Sequence, residues 1–198
     1  KRRERRGWER RRWEERTGGG GRPCGVVFWR GYPLLTPGGG GALRGGGGGG
    51  SPRLFADEGI TRVATIEASG IAPAVMTAQA LNVPMVILKK SKSSILQEGV
   101  IQTEVFSFTK NASYQLTLKS QFVHPGDRVL LIDDFLANGE AALGGIRLLE
   151  KAGAKVVGVG AVIAKTFQPG MEKLRASGYR VEALAPVCRM AENVIEFE

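Results

Sequence analysis

From about residue 60 onward, short apolar runs alternate with stretches whose apolar positions recur at helical spacing. The sharpest boundary lies in Arg128-Val129-Leu130-Leu131-Ile132-Asp133-Asp134, where an apolar run stops at two adjacent acids. A turn through Asn138-Gly139 then opens the helical pattern Ala141–Leu149, which ends near Ala152-Gly153. Because Val129–Ile132 shows no polar alternation, it predicts a parallel strand covered on both faces, with Asp133 and Asp134 at its carboxyl end.

The same grammar recurs on either side. Arg62–Ile66 predicts a strand, Glu67-Ala68-Ser69-Gly70 a turn and Ile71–Leu81 a helix, with Pro73 in its first turn, where a missing N–H costs little. Pro84–Leu88 predicts the next strand and delivers Lys89, Lys90 and Lys92 to its end, before a polar, flexible stretch from Ser91 to Gly99. Val100–Thr109 and Tyr114–Lys119 alternate like two antiparallel strands, a hairpin excursion from the main sheet. Lys155–Ala164 predicts a buried strand finishing at Lys165-Thr166-Phe167-Gln168-Pro169-Gly170, followed by a short helix over Met171–Ala176, a strand over Arg180–Val187 and an edge segment over Val194–Phe197. Strands alternating with helices make an α/β domain with a mainly parallel sheet flanked by helices.

Charge separates the chain into two parts. Residues 1–50 carry 12 Lys and Arg against 4 Glu, so +8 of the formal +9 sits there and the remainder is nearly neutral. The glycine tracts Gly18–Gly21, Gly38–Gly41 and Gly45–Gly50 have high backbone entropy and nothing to bury, which predicts a disordered head over 1–50 and a folded domain over 51–198. Nucleic-acid binding, which needs a clustered basic surface, is thereby left only to the head, with its aromatic residues Trp8 and Trp13. Cys24 and Cys188 have no metal-ligand spacing. No apolar run approaches the roughly 20 residues that span a bilayer, so a soluble, cytoplasmic protein is expected. His124, between Val123 and Pro125-Gly126, reads as a turn residue and not as a catalyst.

Every stretch with chemical potential falls at the carboxyl end of an expected strand, where open α/β sheets bind ligands. The turn before the helix at Ala141 aims backbone N–H groups and the positive end of the helix dipole upward, which suits a phosphate; Asp133 and Asp134 suit hydroxyls or a hydrated divalent cation. A solvated strand end remains the plain alternative for the acids and for the lysines.

Three separated motifs, Thr65-Ile66-Glu67-Ala68-Ser69-Gly70-Ile71-Ala72-Pro73-Ala74, Asp133-Asp134-Phe135-Leu136-Ala137-Asn138-Gly139 and Lys165-Thr166-Phe167-Gln168-Pro169-Gly170, stand in the order found in type I phosphoribosyltransferases. The resemblance runs from about Ile60 to Glu198 and is strongest to the bacterial xanthine phosphoribosyltransferases. It implies transfer of phosphoribosyl from 5-phosphoribosyl-1-pyrophosphate (PRPP) to xanthine in a homodimer, with Mg²⁺ arriving on the pyrophosphate of PRPP and no direct protein ligand set for it. By this resemblance Asp133 and Asp134 act in catalysis; Ala137, Asn138, Gly139, Glu140 and Ala141 cradle the 5′-phosphate; Glu67, Ala68, Ser69, Gly70 and Lys89 hold the pyrophosphate side of PRPP. Lys165 reaches a purine oxygen and Phe167 stacks on the ring. It also implies a loop that closes over the reacting centre. Ala164 departs from the family, in which an acid usually precedes the lysine. The chain enters the pattern near Leu54-Phe55-Ala56-Asp57-Glu58-Gly59, and the family's upstream segment that covers the purine is expected to be absent or replaced. Two other readings fit the same domain: a PRPP-sensing regulator that binds nucleic acid, and an inactive fragment lacking that cover.

Overall fold

Leu130 and Ile132 point into one apolar cluster, with Phe55, Val63, Ala74 and Ala78, while Val129 and Leu131 point into another, with Ile66, Leu88, Ile146 and Leu149. The uninterrupted apolar run is therefore a strand with a core on each face. The computed structural model describes residues 54–91, 98–107, 111–191 and 194–198. The expectations for the head, for Lys92 and most of the polar stretch after it, and for Phe108 to Lys110 lie outside the described residues.

In chain order the strands are β1 (Arg62–Ile66), β2 (Met85–Ser91), β3 (Val100–Ser107), β4 (Ala112–Lys119), β5 (Arg128–Leu136), β6 (Lys155–Lys165), β7 (Val181–Ala191) and β8 (Val194–Phe197). Three α-helices accompany them: α1 (Ile71–Leu81), α2 (Glu140–Lys151) and α3 (Gly170–Ala176). The sheet order is β3-β4-β2-β1-β5-β6-β7-β8. The five strands from β2 to β7 in that order run parallel, and the hairpin β3–β4 and the edge strand β8 add antiparallel pairs at the two sides.

The connections decide where a ligand can sit. From β1 the chain crosses through α1 to β2 on one side; from β5 it crosses through α2 to β6 on the other. The strand order reverses between β1 and β5, and such a reversal opens a crevice at the carboxyl ends of the two strands. α1 brings Ala74 and Ala78 to one face of the sheet, while α2 brings Ile146 and Leu149 to the other.

Several boundaries differ from the sequence expectation, each for a tertiary reason. β5 does not stop at the acids but continues to Leu136, because β6 lies alongside and pairs Asp133 with Ala161, Phe135 with Ile163 and Leu136 with Ala164. On the other side β1 pairs with β5 only as far as Thr65 and Ile132, so the acids overhang the end of β1. β2 runs on through Lys89 and Lys90 to Ser91 because β4 supplies antiparallel partners there. The hairpin is consequently stitched into the sheet and is not a free excursion. β7 reaches Ala191 because β8 folds back on it. At the opposite end of β5 from the acids, Arg62 clasps Asp127 at 2.9 Å, and the backbone N–H of His124 donates to the same carboxylate, fixing the turn as expected for that histidine.

Candidate active site

The acidic pair is asymmetric. Asp133 is half-buried, and its Oδ1 accepts the backbone N–H of Asp134 at 3.0 Å. Burial, with the Asp134 charge beside it, pushes the Asp133 carboxyl up to about 7, against an opposing pull from Lys90. Tyr114 on β4 feels the same carboxylate: burial first, and then the Asp133 charge, raise its hydroxyl above the ordinary value. The Lys90 ammonium lies 5.7 Å from the centre of the Tyr114 ring. Of the described lysines at the end of β2, Lys90 is the one whose charge acts on Asp133. Lys89 is exposed and pairs across the ladder with Thr117, whose hydroxyl donates to its carbonyl.

The loop after β1 lies against this pair. Glu67 donates its N–H to Leu88 O and accepts the N–H of Lys90 on Oε1 at 2.6 Å, so the loop is tied to β2 at both ends of one residue. The Glu67–Ala68 peptide is cis. Ala68 and Ser69 are exposed, while Gly70 is buried. A Cβ on Gly70 would strike the Thr65 hydroxyl and come within 3.1 Å of Asp133 Oδ1, so only glycine lets the loop close onto the acids. The Thr65 hydroxyl beneath it is fully buried and has no hydrogen-bond partner among the described residues.

Beyond β5 the chain turns through Ala137 and Asn138 to Gly139, whose φ of +83° places it in the left-handed region. Gly139 and Gly170 touch backbone to backbone: a Cβ on Gly139 would lie 3.0 Å from Gly170 Cα, and Gly170 N–H donates to Ala137 O at 3.0 Å. The glycine expected to let a phosphate approach is therefore required first by α3. Leu143 N–H to Gly139 O is the first helical bond of α2, which leaves the amides of Glu140, Ala141 and Ala142 without intrahelical acceptors. Free amides at the amino end of a helix are chemically suited to an anion. The Glu140 side chain faces away from that task and accepts Lys173 Nζ at 2.8 Å, bracing α2 against α3.

The third stretch is anchored by Thr166, whose N–H and hydroxyl both bond Val187 O, and by Gln168 N–H to Lys165 O. Lys165 makes no ion pair with a carboxylate among the described residues. Its ammonium lies 5.1 Å from the centre of the Phe135 ring. Phe167 is 49% exposed and so is no part of the core. A cleft of about 470 Å³ opens nearby, but it is lined by Thr166, Gln168, Met171, Arg175 and Glu182, among others, and by neither acid nor Lys165. It is not the crevice at the acids.

The structure thus brings Asp133, Asp134, Glu67 and Gly70 together at the strand reversal, sets the α2 amino end after the same strand, and links Lys165 to it through Phe135. Lys90 was expected from the sequence only as one of three lysines at a strand end, and Tyr114 and Phe135 were not expected there at all. Phe135 had a visible signal, an aromatic residue directly after the acids; Tyr114 had none, because only the β2–β4 pairing brings it there. In chemical terms the site offers amides for a phosphate, carboxylates for hydroxyls and a cation for an acceptor oxygen.

Comparison with known proteins agrees with this chemistry. A family profile described as "Phosphoribosyl transferase domain" matches residues 53–182. "Xanthine phosphoribosyltransferase 1" of Clostridium botulinum (strain Hall) is 56% identical over 143 residues, 72% of this chain and 75% of that protein. "Xanthine phosphoribosyltransferase" of Clostridium acetobutylicum is 53% identical over 143 residues, covering 72% and 76%. Among solved structures, an adenine phosphoribosyltransferase from Rhodothermus marinus superposes with a TM-score of 0.59 at 30% identity, over 67% of this chain and 72% of that one. With the strand reversal, the acids and the glycine-bounded helix terminus all falling inside the matched span, the chain belongs to the phosphoribosyltransferase family.

Proposed function

We propose that this chain is a xanthine phosphoribosyltransferase, which transfers the 5-phosphoribosyl group of PRPP to N9 of xanthine and yields xanthosine monophosphate (XMP) and pyrophosphate in purine salvage. The C1′–oxygen bond breaks with its electron pair departing on pyrophosphate, the N9 lone pair forms the new C1′–N bond, and the N9 proton leaves to solvent. Between bond breaking and bond making, positive charge develops at the ribose, where fixed negative groups are most effective. Asp133 and Asp134 would hold the ribose hydroxyls and face that charge. The free amides at Glu140 and Ala141, with Ala137, Asn138 and Gly139, would receive the 5′-phosphate. The exposed backbone of Ala68 and Ser69, between Glu67 and Gly70, with Lys89 and Lys90 alongside, would receive the pyrophosphate. Two adjacent carboxylates, with no larger donor set among the described residues, suit Mg²⁺, which takes most of its ligands from water and phosphate. Bound to the donor's pyrophosphate, Mg²⁺ would neutralise the leaving group.

The observation that carries the purine assignment is Lys165. A cation with no carboxylate partner among the described residues, at the strand end next to the acids, is free to donate to an acceptor oxygen. Oxopurines carry such an oxygen; adenine presents an amino group, a donor that faces an ammonium unfavourably. Phe167 would stack on the ring without discriminating among purines. A charge-assisted hydrogen bond of roughly 1.5–3 kcal/mol predicts that Lys165→Met lowers kcat/KM for xanthine about 10- to 100-fold and weakens discrimination against adenine. Competitive turnover with adenine and xanthine reads this directly, and adenine exclusion surviving in the Met variant would remove Lys165 from the purine site.

A cytoplasmic homodimer completes the reading. Phe106 and Phe122 are 41% and 47% exposed, apolar surface of the kind that subunit contacts use, and light scattering on the purified chain gives the oligomeric mass. The +8 charge of residues 1–50 favours one addition, electrostatic binding of nucleic acid by the head. Retention on immobilised nucleic acid, with and without residues 1–50, tests it.

A further inference from the structure

Phe135 is an aromatic residue that the fold places in an unfavourable position for its own stability. It stands one residue past the acids, at the end of β5, and 37% of it is exposed. A buried ring contributes apolar burial, and a half-exposed one contributes far less. It stays in register because β6 continues beside it, pairing Phe135 with Ile163. Two residues after Ile163, β6 delivers Lys165, whose ammonium settles 5.1 Å from the Phe135 ring centre.

The kind of contact matters. A carboxylate would hold the ammonium by taking its N–H groups as donors and neutralising its charge. An aromatic face attracts the charge through the ring quadrupole and leaves those N–H groups available. The residue before the lysine is Ala164, which brings no charge of its own. Lys165 is a long side chain on flexible methylenes, so without an anchor its ammonium would sample many rotamers, and holding one of them would cost entropy at the moment of binding.

The geometry points to Phe135 as the positioning residue of Lys165: it holds the ammonium over its ring in a single orientation, with the N–H donors free for a purine oxygen. This inference rests on the reading of Lys165 as the purine-contacting cation, and its consequence is a separation of effects. Loss of the ring face should weaken purine recognition while leaving PRPP recognition alone, since the PRPP contacts belong to other residues.

The experiment has three arms on the full chain. First, the Lys165 ε-methylene protons in ligand-free protein are expected to show an upfield ring-current shift that disappears in Phe135→Leu; no shift in the wild type would overturn the contact. Second, KM for xanthine and for PRPP is measured for Phe135→Leu, Phe135→Tyr and a series with one, two and three fluorines on the Phe135 ring. The expected result is a rise in xanthine KM of about three- to ten-fold for Leu, near-complete rescue by Tyr, and a stepwise rise along the fluorine series, all at constant PRPP KM. A flat fluorine series, or an equal rise in both constants, would overturn the proposal, because fluorination changes the quadrupole at nearly constant shape. Third, Lys165→Met separates the two claims. If it leaves xanthine KM unchanged, the purine role of Lys165 fails even where the ring-current shift is present; if it raises xanthine KM while the fluorine series stays flat, the positioning role of Phe135 fails alone.

Discussion

Asp127 and Asp133 stand at opposite ends of β5 and titrate in opposite directions. Burial alone would raise the Asp127 carboxyl, but the His124 N–H and the Arg62 and Thr61 side chains hold it below the ordinary value. Its contribution to stability is therefore present above that value and is lost as pH falls through the lowered one. Asp133 is the reverse: its value of about 7 lies above the ordinary 3.8, so the folded chain binds that proton more tightly and stability declines as pH rises from about 4 through 7. Thermal unfolding should show Asp133→Asn gaining on the wild type at pH 8 and not at pH 4, and Asp127→Asn losing at pH 6. A gain for Asp133→Asn that does not depend on pH would contradict the assignment. The same Asn variant should lose most of its turnover, since a carboxylate that costs stability when charged is retained for what that charge does in the transition state. The acids and Lys165 were legible in the sequence, because they end apolar runs. Lys90 was legible as a strand-end cation, but Tyr114 and Phe135 were legible only as residue types: their proximity depends on how far β5 continues past the acids and on which strand lies beside β2, and neither is a local property.

Elements were legible where one residue type leaves little choice. The Ile71–Leu81 helix matches the sequence expectation end to end, with Asn82 at φ +54° closing it. The run through Val129–Ile132 announced a strand with two covered faces, and on that account Leu131→Ala should cost about 2–5 kcal/mol in chemical denaturation. Strand ends were less legible, since a ladder partner extends a strand past its local signals, as β4 does for β2 and β6 for β5. The same tertiary effect changes the meaning of Gly139. A side chain there must adopt φ near +83° and also displace Gly170, so Gly139→Val should lower the melting temperature as well as weaken PRPP binding. An unchanged melting temperature in that variant would mean that the Gly139–Gly170 contact does not brace the loop.

At the scale of the molecule, function follows from one topological event. The chain leaves β1 in one direction and β5 in the other, and the loops after both strands open on the same crevice. The head lies outside the described residues, and its proposed independence from the domain makes a simple expectation: a chain beginning at residue 51 should unfold at the same temperature as the full chain. The central claim, that this crevice transfers phosphoribosyl to xanthine, is tested most directly by giving the purified chain PRPP, Mg²⁺ and an equimolar mixture of xanthine, guanine, hypoxanthine and adenine, then separating the nucleotides formed. The account predicts 6-oxopurine nucleotides with XMP foremost and no adenosine monophosphate. Adenosine monophosphate as the main product, or no nucleotide at all, would contradict it.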